Sequence, residues 1–428
     1  MIDLKDLKAR KAEIEANIRN RFMNVDLDAV IGLFDRKNEL IRQIEGLRSQ
    51  RNQNAAKMKG KVTPEERTAL IEEGKILKEK IASLEDELSD CEARFKIESH
   101  KIPNYAHPDA PVGKEDKDSL EIERCGTIPQ FDFQPKDHVQ LGEALDMIDF
   151  DTATKVTGPK FYYLKNEGAL LELALTRYAI DILTAKGFTP VITPDLAKEE
   201  ILEGIGFNPR GNESNIYTLE ETGTCLVGTA EITLGGSLAD TVIDGEKLPL
   251  MMAGLSHCFS REAGAAGQYS KGLYRVHQFT KVEMFIFCKP EDSDSYHQKL
   301  LETEKEIFSG LGIPFRVVDT CTGDLGAPAY RKFDLEAWMP GRGDNGDFGE
   351  ITSTSNCTDY QSRRLNIKYK TADGKKEYVH MLNGTAIAMS RAIIAIMENF
   401  QQADGSIIIP EKLRPYTGFD RIAPKCRK

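Results

Sequence analysis

The sequence predicts an α+β fold with a long helical hairpin at its N-terminus, and two patterns support this. In the first hundred residues apolar positions recur at heptad spacing. Leu33, Leu40, Ile44 and Leu47 form one seam, and Leu70, Leu77, Ile81, Leu84 and Leu88 form a second. Beyond residue 119 strand-like and helix-like segments alternate irregularly. With 428 residues, 40% apolar and 29% charged, the chain has the composition of an ordinary soluble protein of two or three domains.

Between the two seams lies Gly60-Lys61-Val62-Thr63-Pro64-Glu65-Glu66. Thr63 suits an N-cap, Pro64 the first helical position and Glu66 the reciprocal partner of a capping box. The chain therefore reverses near Gly60, and residues 1–102 read as an antiparallel two-helix coiled coil. A dimerisation coil or part of a bundle carries the same pattern. Residues 103–119, rich in Pro, Asp and Gly, form a linker, and residues 120–428 form the globular body. Within the body a helix is expected from Gly168 to Lys186, followed by a strand over Gly187–Pro194. The prolines of that strand confine it to an edge or an interface.

Charge is unevenly distributed. Residues 1–102 carry 21 Lys/Arg against 20 Asp/Glu, whereas the remainder carries 36 against 48. From Arg36 to Lys61 eight basic residues (Arg36, Lys37, Arg42, Arg48, Arg51, Lys57, Lys59 and Lys61) face only Glu39 and Glu45. Such a stripe suits contact with a phosphate backbone, although a solvated helix face has the same composition.

Several classes are excluded or disfavoured. No stretch approaches the ~18 apolar residues of a membrane span. The opening MIDLKDLKARKAEIEANIRN balances acid and base without an apolar core, so it resembles neither a secretory nor a transit peptide, and a cytoplasmic protein is expected. Eight cysteines are scattered without a C-x-x-C pair, which argues against a zinc ribbon and a disulfide framework. The chain lacks both a Walker-type loop and a G-x-G-x-x-G fingerprint.

Four segments carry candidate chemistry. Gly228-Thr229-Ala230-Glu231 follows the apolar run Cys225–Val227, where a carboxylate beside a hydroxyl can bind an ammonium group. A turn with a helix N-cap gives the same tripeptide. Phe259–Phe287 reads as two strands joined by a Gly/Ala loop; in the second, Phe279, Lys281 and Glu283 share a face. An aromatic platform beside an acid suits base stacking and binding of a small polar group, while a half-buried strand with an exposed Lys/Glu pair is the plainer reading. Glu350-Ile351-Thr352-Ser353-Thr354 alternates as a strand, with Glu350, Thr352 and Thr354 on one side. Last, Asn383-Gly384-Thr385-Ala386 opens a helical apolar pattern in which Ile387 and Ala388 recur as Ile394 and Ala395, with Arg391 inside it. An arginine there needs an anion, from within the fold or from a ligand.

The 168–194 helix and strand, Phe259–Phe287 and the Asn383–Arg391 stretch resemble the three signature motifs of class II aminoacyl-tRNA synthetases, and the Thr229-Ala230-Glu231 and Glu350–Thr354 strings resemble those of the seryl-tRNA synthetases. The likeness spans nearly the whole chain. It implies an antiparallel sheet flanked by helices, an N-terminal tRNA-binding arm, and a homodimer formed through the 168–194 helix and strand. It also implies a two-step reaction in which L-serine and ATP form seryl-adenylate and the seryl group passes to the 3′ end of serine tRNA, with selenocysteine tRNA an open second acceptor. By resemblance Thr229, Ala230, Glu231, Arg261, Glu283 and Thr385 contact serine. Ser260, Arg261, Glu262, Val276, Phe279, Glu350, Ile351, Thr352, Ser353 and Arg391 surround ATP. Glu350 and Ser353 hold its Mg²⁺, and Arg261, Glu350 and Arg391 carry catalysis.

Three features depart from the family pattern. The family usually has arginine directly after the aromatic, whereas this chain reads Phe259-Ser260-Arg261-Glu262. A one-residue move along a strand reverses a side chain's face, so a bulge is expected to re-aim Arg261. Gln268 stands where a second loop arginine is common, and Thr385 where serine is common. An amino acid:carrier-protein ligase is a rival reading, but it lacks the arm. A non-catalytic tRNA-binding paralogue is another, favoured only by the Ser260-Arg261 order.

Overall fold

The computed structural model describes residues 1–208, 215–261 and 270–424. Two compact units emerge, Met1–Pro103 and Asn104–Lys428.

In the first unit helices α1 (Leu27–Met58) and α2 (Pro64–Ser99) form the hairpin. Leu40, Ile44, Leu77 and Ile81 are buried, and the outer seam residues are half-buried. Thr63 Oγ1 accepts the Glu66 N–H at 3.2 Å, and Glu66 Oε2 accepts the Thr63 N–H at 2.8 Å, closing the capping box. One heptad after Leu47 the seam holds Asn54, which is buried and donates to Glu73 Oε2 at 2.6 Å. A buried amide in a coiled-coil seam favours the register that satisfies it.

The second unit is built on an eight-stranded sheet: β1 (Leu120–Cys125), β2 (Thr189–Ile192), β3 (Leu250–Phe259), β4 (Gln278–Cys288), β5 (Phe315–Asp319), β6 (Arg331–Met339), β7 (Asp347–Asn356) and β8 (His380–Ala388). Their spatial order is β1-β5-β6-β7-β8-β4-β3-β2. All neighbours are antiparallel except β2, which runs parallel to β3. Pro190 lies in β2 at the sheet edge, where a missing N–H is tolerated.

Three helices join the main core, namely α3 (Glu167–Ala185), α5 (Ser293–Gly310) and α6 (Met389–Asn399). Leu171, Phe308 and Ile393 from these helices cluster with Met284 and Ile286 of β4 and Leu335 and Ala337 of β6. Alternate strand residues, among them Glu283 and Glu336, therefore face the other side of the sheet. There a smaller cluster gathers around the short helix α4 (Ala230–Gly236).

The last motif departs from the helical expectation. Ile387 and Ala388 belong to β8, and the helix begins only at Met389. Pairing with Val282 and Lys281 extends the ladder to these residues, and those hydrogen bonds override the apolar repeat. Gly384 has a packing reason as well, since a Cβ there would stand 2.9 Å from Thr354 Oγ1. Among the described residues no helix is long and apolar enough to cross a membrane.

Candidate active site

A cavity of about 370 Å³ opens on the sheet face opposite the main core, lined by residues of all the later motifs. Ser260, Val276, Phe279, Lys281, Glu350, Ile351, Thr352, Thr385 and Arg391 contribute to its wall, together with Tyr274, Arg275 and Gly228.

At one end lies an acidic pocket. Glu283, only 2% exposed, accepts from Thr385 Oγ1 at 3.2 Å and pairs with Lys281 across the same carboxylate oxygen, Oε2. Glu231, in the first turn of α4, accepts from Gln361 Nε2 at 2.7 Å and Asn383 Nδ2 at 2.9 Å. Burial first, and the Glu283 charge second, push its carboxyl up to about 7. Thr229 is the N-cap of α4, its hydroxyl accepting from the Glu231 N–H at 3.3 Å. Ala230 is buried beside it, and a Cβ on Gly254 would stand 3.0 Å from the Ala230 Cβ. The N-cap reading of this tripeptide is thus realised together with a carboxylate placed in a polar pocket.

At the other end Arg391 leaves the first turn of α6. Its Nη1 stands 3.1 Å from Glu350 Oε1 and donates to the Glu350 carbonyl at 3.0 Å. The Tyr274 ring is flanked by two guanidinium groups, Arg391 at 4.9 Å and Arg342 at 4.7 Å. Partial desolvation against the cavity wall opposes ionisation of Glu350, but Arg391 and Lys332 outweigh it and hold the carboxyl below its usual value.

Strand β7 corrects the expected alternation. Leu335 pairs with Thr352 but Glu336 pairs with Glu350, so Ile351 is an extra residue at a bulge. Thr352 consequently turns its hydroxyl back to Glu304 of α5, at 3.0 Å from Oε2, and Thr354 bonds the Asn383 carbonyl. Glu350 and Ser353, whose cross-strand partners Glu336 and Asp334 lie two residues apart, come to share the cavity face. Simple alternation would have separated them. The Ser353 hydroxyl bonds Asp334, whose carboxyl is raised to about 6, first by burial and further by Glu350, against the pull of Lys332.

Among the described residues the bulge expected near Arg261 is absent. β3 pairs with β4 in unbroken register from Leu250 to Phe259, and the Ser260 N–H continues to the His277 carbonyl at 3.0 Å. Arg261 lies just past the ladder, where alternation no longer fixes a side chain's direction; it is exposed and does not line the cavity. Glu262 and Gln268 fall outside the described residues.

On the hairpin Arg42, Arg48, Arg51, Lys57, Lys59 and Lys61 are exposed, while Arg36 and Lys37 are half-buried. Arg36 and Arg48 reach across to Glu87 and Glu85 of α2, each at 2.6 Å. Such exposed pairs add little to stability, because solvent screens them and holding two long side chains together costs entropy.

Sequence reasoning missed several groups in or beside the cavity. Lys281, read as half of an exposed pair, is 12% exposed and ion-paired. Tyr274, Arg342, Asp334 and Gln361 carried no signal of their own. Only their spatial neighbours reveal them.

The tRNA synthetase class II core domain (G, H, P, S and T) matches residues 217–400, and the seryl-tRNA synthetase N-terminal domain matches residues 1–106. A serine–tRNA ligase from Treponema denticola is 64% identical over 422 residues, covering 99% of this chain and 100% of that protein. The chain belongs to the seryl-tRNA synthetase family. A second member, the serine–tRNA ligase of Borrelia recurrentis, is 56% identical over 99% of this chain and 100% of its own length. Among solved members, seryl-tRNA synthetase from Pyrococcus horikoshii complexed with ATP superposes with a TM-score of 0.88 at 39% identity, covering 100% of both chains. The cytoplasmic serine–tRNA ligase of Naegleria fowleri in complex with AMP gives 0.83 at 30% identity, over 100% of this chain and 99% of that one. The class II fold, with its large, mainly antiparallel sheet flanked by helices and its two long N-terminal helices, is therefore the family fold.

Proposed function

We propose that this chain is a serine–tRNA ligase that works by two successive displacements in the cavity. A serine carboxylate oxygen attacks the α-phosphorus of ATP, the bond to the bridging oxygen breaks, and pyrophosphate leaves. The terminal ribose hydroxyl of serine tRNA then attacks the activated carbonyl, and AMP leaves. Both steps need positioning and charge neutralisation more than a proton-transfer group. The observation that carries this reading is one continuous cavity joining the Glu283–Thr385 acceptor pocket to the Arg391–Glu350 pair. Incubation with ATP, Mg²⁺, labelled serine and a serine tRNA transcript should give acid-precipitable label; its absence would remove the assignment.

In this reading Glu231 and Thr229 hold the substrate ammonium, and Glu283 with Thr385 holds its hydroxyl. Phe279 stacks on adenine with Val276 beside it, and Arg391 neutralises the phosphates. Arg261, which does not line the cavity, would join the nucleotide site by swinging inward when ATP binds, and Glu262 is assigned to that site by resemblance alone. Hard oxygen donors suit Mg²⁺: Glu350 is 47% exposed, Ser353 shares its face, and Asp334 Oδ1 beside them is buried without a partner. Mg²⁺ bound there would offset phosphate charge. Among the described residues no group of three or more His, Cys, Asp or Glu is arranged to hold a metal; in this reading phosphate oxygens of ATP would supply the remaining ligands.

Glu231 makes serine binding pH-dependent. Its folded-state pKa of about 7 leaves the carboxyl largely protonated below neutrality, whereas an ammonium partner requires it ionised. KM for serine should therefore rise as pH falls below 7, by roughly tenfold per unit at the limit. Glu231→Gln should flatten that profile while weakening binding at pH 8. A flat wild-type profile from pH 8 to 6 would contradict the role given to Glu231.

We further infer a homodimer through α3 and β2. Leu173 is 67% and Ile192 82% exposed, with Leu170 49% exposed beside them. An isologous contact would cover this apolar edge, and the basic stripe of one subunit's arm would present tRNA to its partner. Sedimentation at micromolar concentration should show a dimer; Leu173→Glu with Ile192→Glu should shift it to monomer. A wild-type monomer would remove the claim.

A further inference from the structure

We infer that Lys281 is a specificity-determining residue: its ion pair with Glu283 keeps that carboxylate an acceptor-only group, whose remaining oxygen selects an amino acid bearing a side-chain O–H. The inference rests on the serine reading and deepens it.

The geometry lies at the floor of the cavity. Lys281 and Glu283 are two residues apart on β4, with side chains 12% and 2% exposed. The Lys281 ammonium meets Glu283 Oε2 and also lies 3.3 Å from Thr385 Oγ1, which itself donates to Oε2 at 3.2 Å. Both protein donors thus converge on one oxygen. Among the described residues no hydrogen bond is made to Oε1, and the cavity wall formed by Lys281 and Thr385 places that pocket beside the substrate space. A carboxylate in this state can only accept. Serine can satisfy it, whereas alanine leaves a buried charge-bearing acceptor unpaired.

The counter-charge is what maintains that state. An unpaired buried carboxylate takes up a proton instead of remaining charged. Without the ammonium on Oε2 the Glu283 side chain would be free to turn and offer either oxygen to Thr385, and the demand for a substrate donor at Oε1 would fall. Burial weakens protonation of Lys281 itself, but Glu283, together with Cys258 and Glu231, outweighs this and raises its pKa. Lys281 therefore acts through Glu283 and need not touch substrate.

The test compares kcat/KM for serine and alanine in pyrophosphate exchange across wild type, Lys281→Met, Glu283→Gln and the double variant. Lys281→Met should lower the serine-to-alanine ratio by about tenfold or more. In the double variant the side chain at 283 needs no counter-ion, so its ratio should equal that of Glu283→Gln alone. A scaffold role would lower both amino acids alike, and an unchanged ratio in Lys281→Met would overturn the inference. So would a further loss in the double variant beyond Glu283→Gln, a comparison that decides alone if Lys281→Met does not fold. A wild-type enzyme with no preference for serine would instead refute the proposed function, and this inference with it.

Discussion

Replacing Arg391 by alanine is expected to lower serine-dependent pyrophosphate exchange by roughly a hundredfold to a thousandfold, the effect of deleting one preorganised stabilising donor. The side chain leaves the first turn of α6, a helix otherwise buried almost throughout, so its origin is rigid. Its guanidinium is fixed by Glu350 on one side and by the Tyr274 ring on the other. It thus needs little reorganisation when phosphate charge develops. Because the lost contact is strongest in the transition state, kcat should fall more than KM for serine rises. Arg391→Lys should recover little, since an ammonium cannot reproduce a planar fork stacked on tyrosine. Arg261 provides the contrast. If it swings into the cavity when ATP binds, Arg261→Ala should also cost about a hundredfold, and exchanging Ser260 and Arg261 should be neutral or harmful. Full activity of Arg261→Ala, or a large gain in the exchanged variant, would show that it points away.

Deleting residues 30–95 with a short bridge should abolish tRNA charging and leave pyrophosphate exchange nearly intact. Both hydrophobic clusters of the sheet lie wholly within Asn104–Lys428, so the cavity does not depend on the hairpin for its core. The six exposed stripe residues from Arg42 to Lys61 supply charge that the acidic remainder of the chain lacks. Neutralising them singly should weaken tRNA binding and reduce its salt dependence by about one unit of slope each. Parallel loss of exchange and charging would mean that the hairpin belongs to the catalytic core.

Much of this was legible in the sequence because local rules and tertiary structure agree there. The heptad seams, the Thr63 capping box and the edge placement of Pro190 each follow from residue type and spacing. The motif strings led to Glu231, Glu283, Glu350 and Arg391, all of which lie in or beside the cavity. Local reading failed where strand pairing decided the outcome. The bulge at Ile351, which brings Glu350 and Ser353 to one face, depends on β6. The strand character of Ile387 and Ala388 depends on β4. Lys281 looked like a surface charge because alternation gives a residue's face but not what covers that face. Asn54 stood in plain view at a heptad position, and only its Glu73 partner explains it.

The central claim is that the cavity activates serine. It is tested most directly by Mg²⁺-dependent ATP–pyrophosphate exchange measured separately with each of the twenty amino acids. Serine should drive exchange, with alanine and glycine poorly used because they leave the Glu283 acceptor unpaired at a cost of roughly 1–3 kcal/mol or more. Threonine should be rejected through its extra methyl, by about 1–3 kcal/mol. Exchange driven by another amino acid and not by serine would contradict the account.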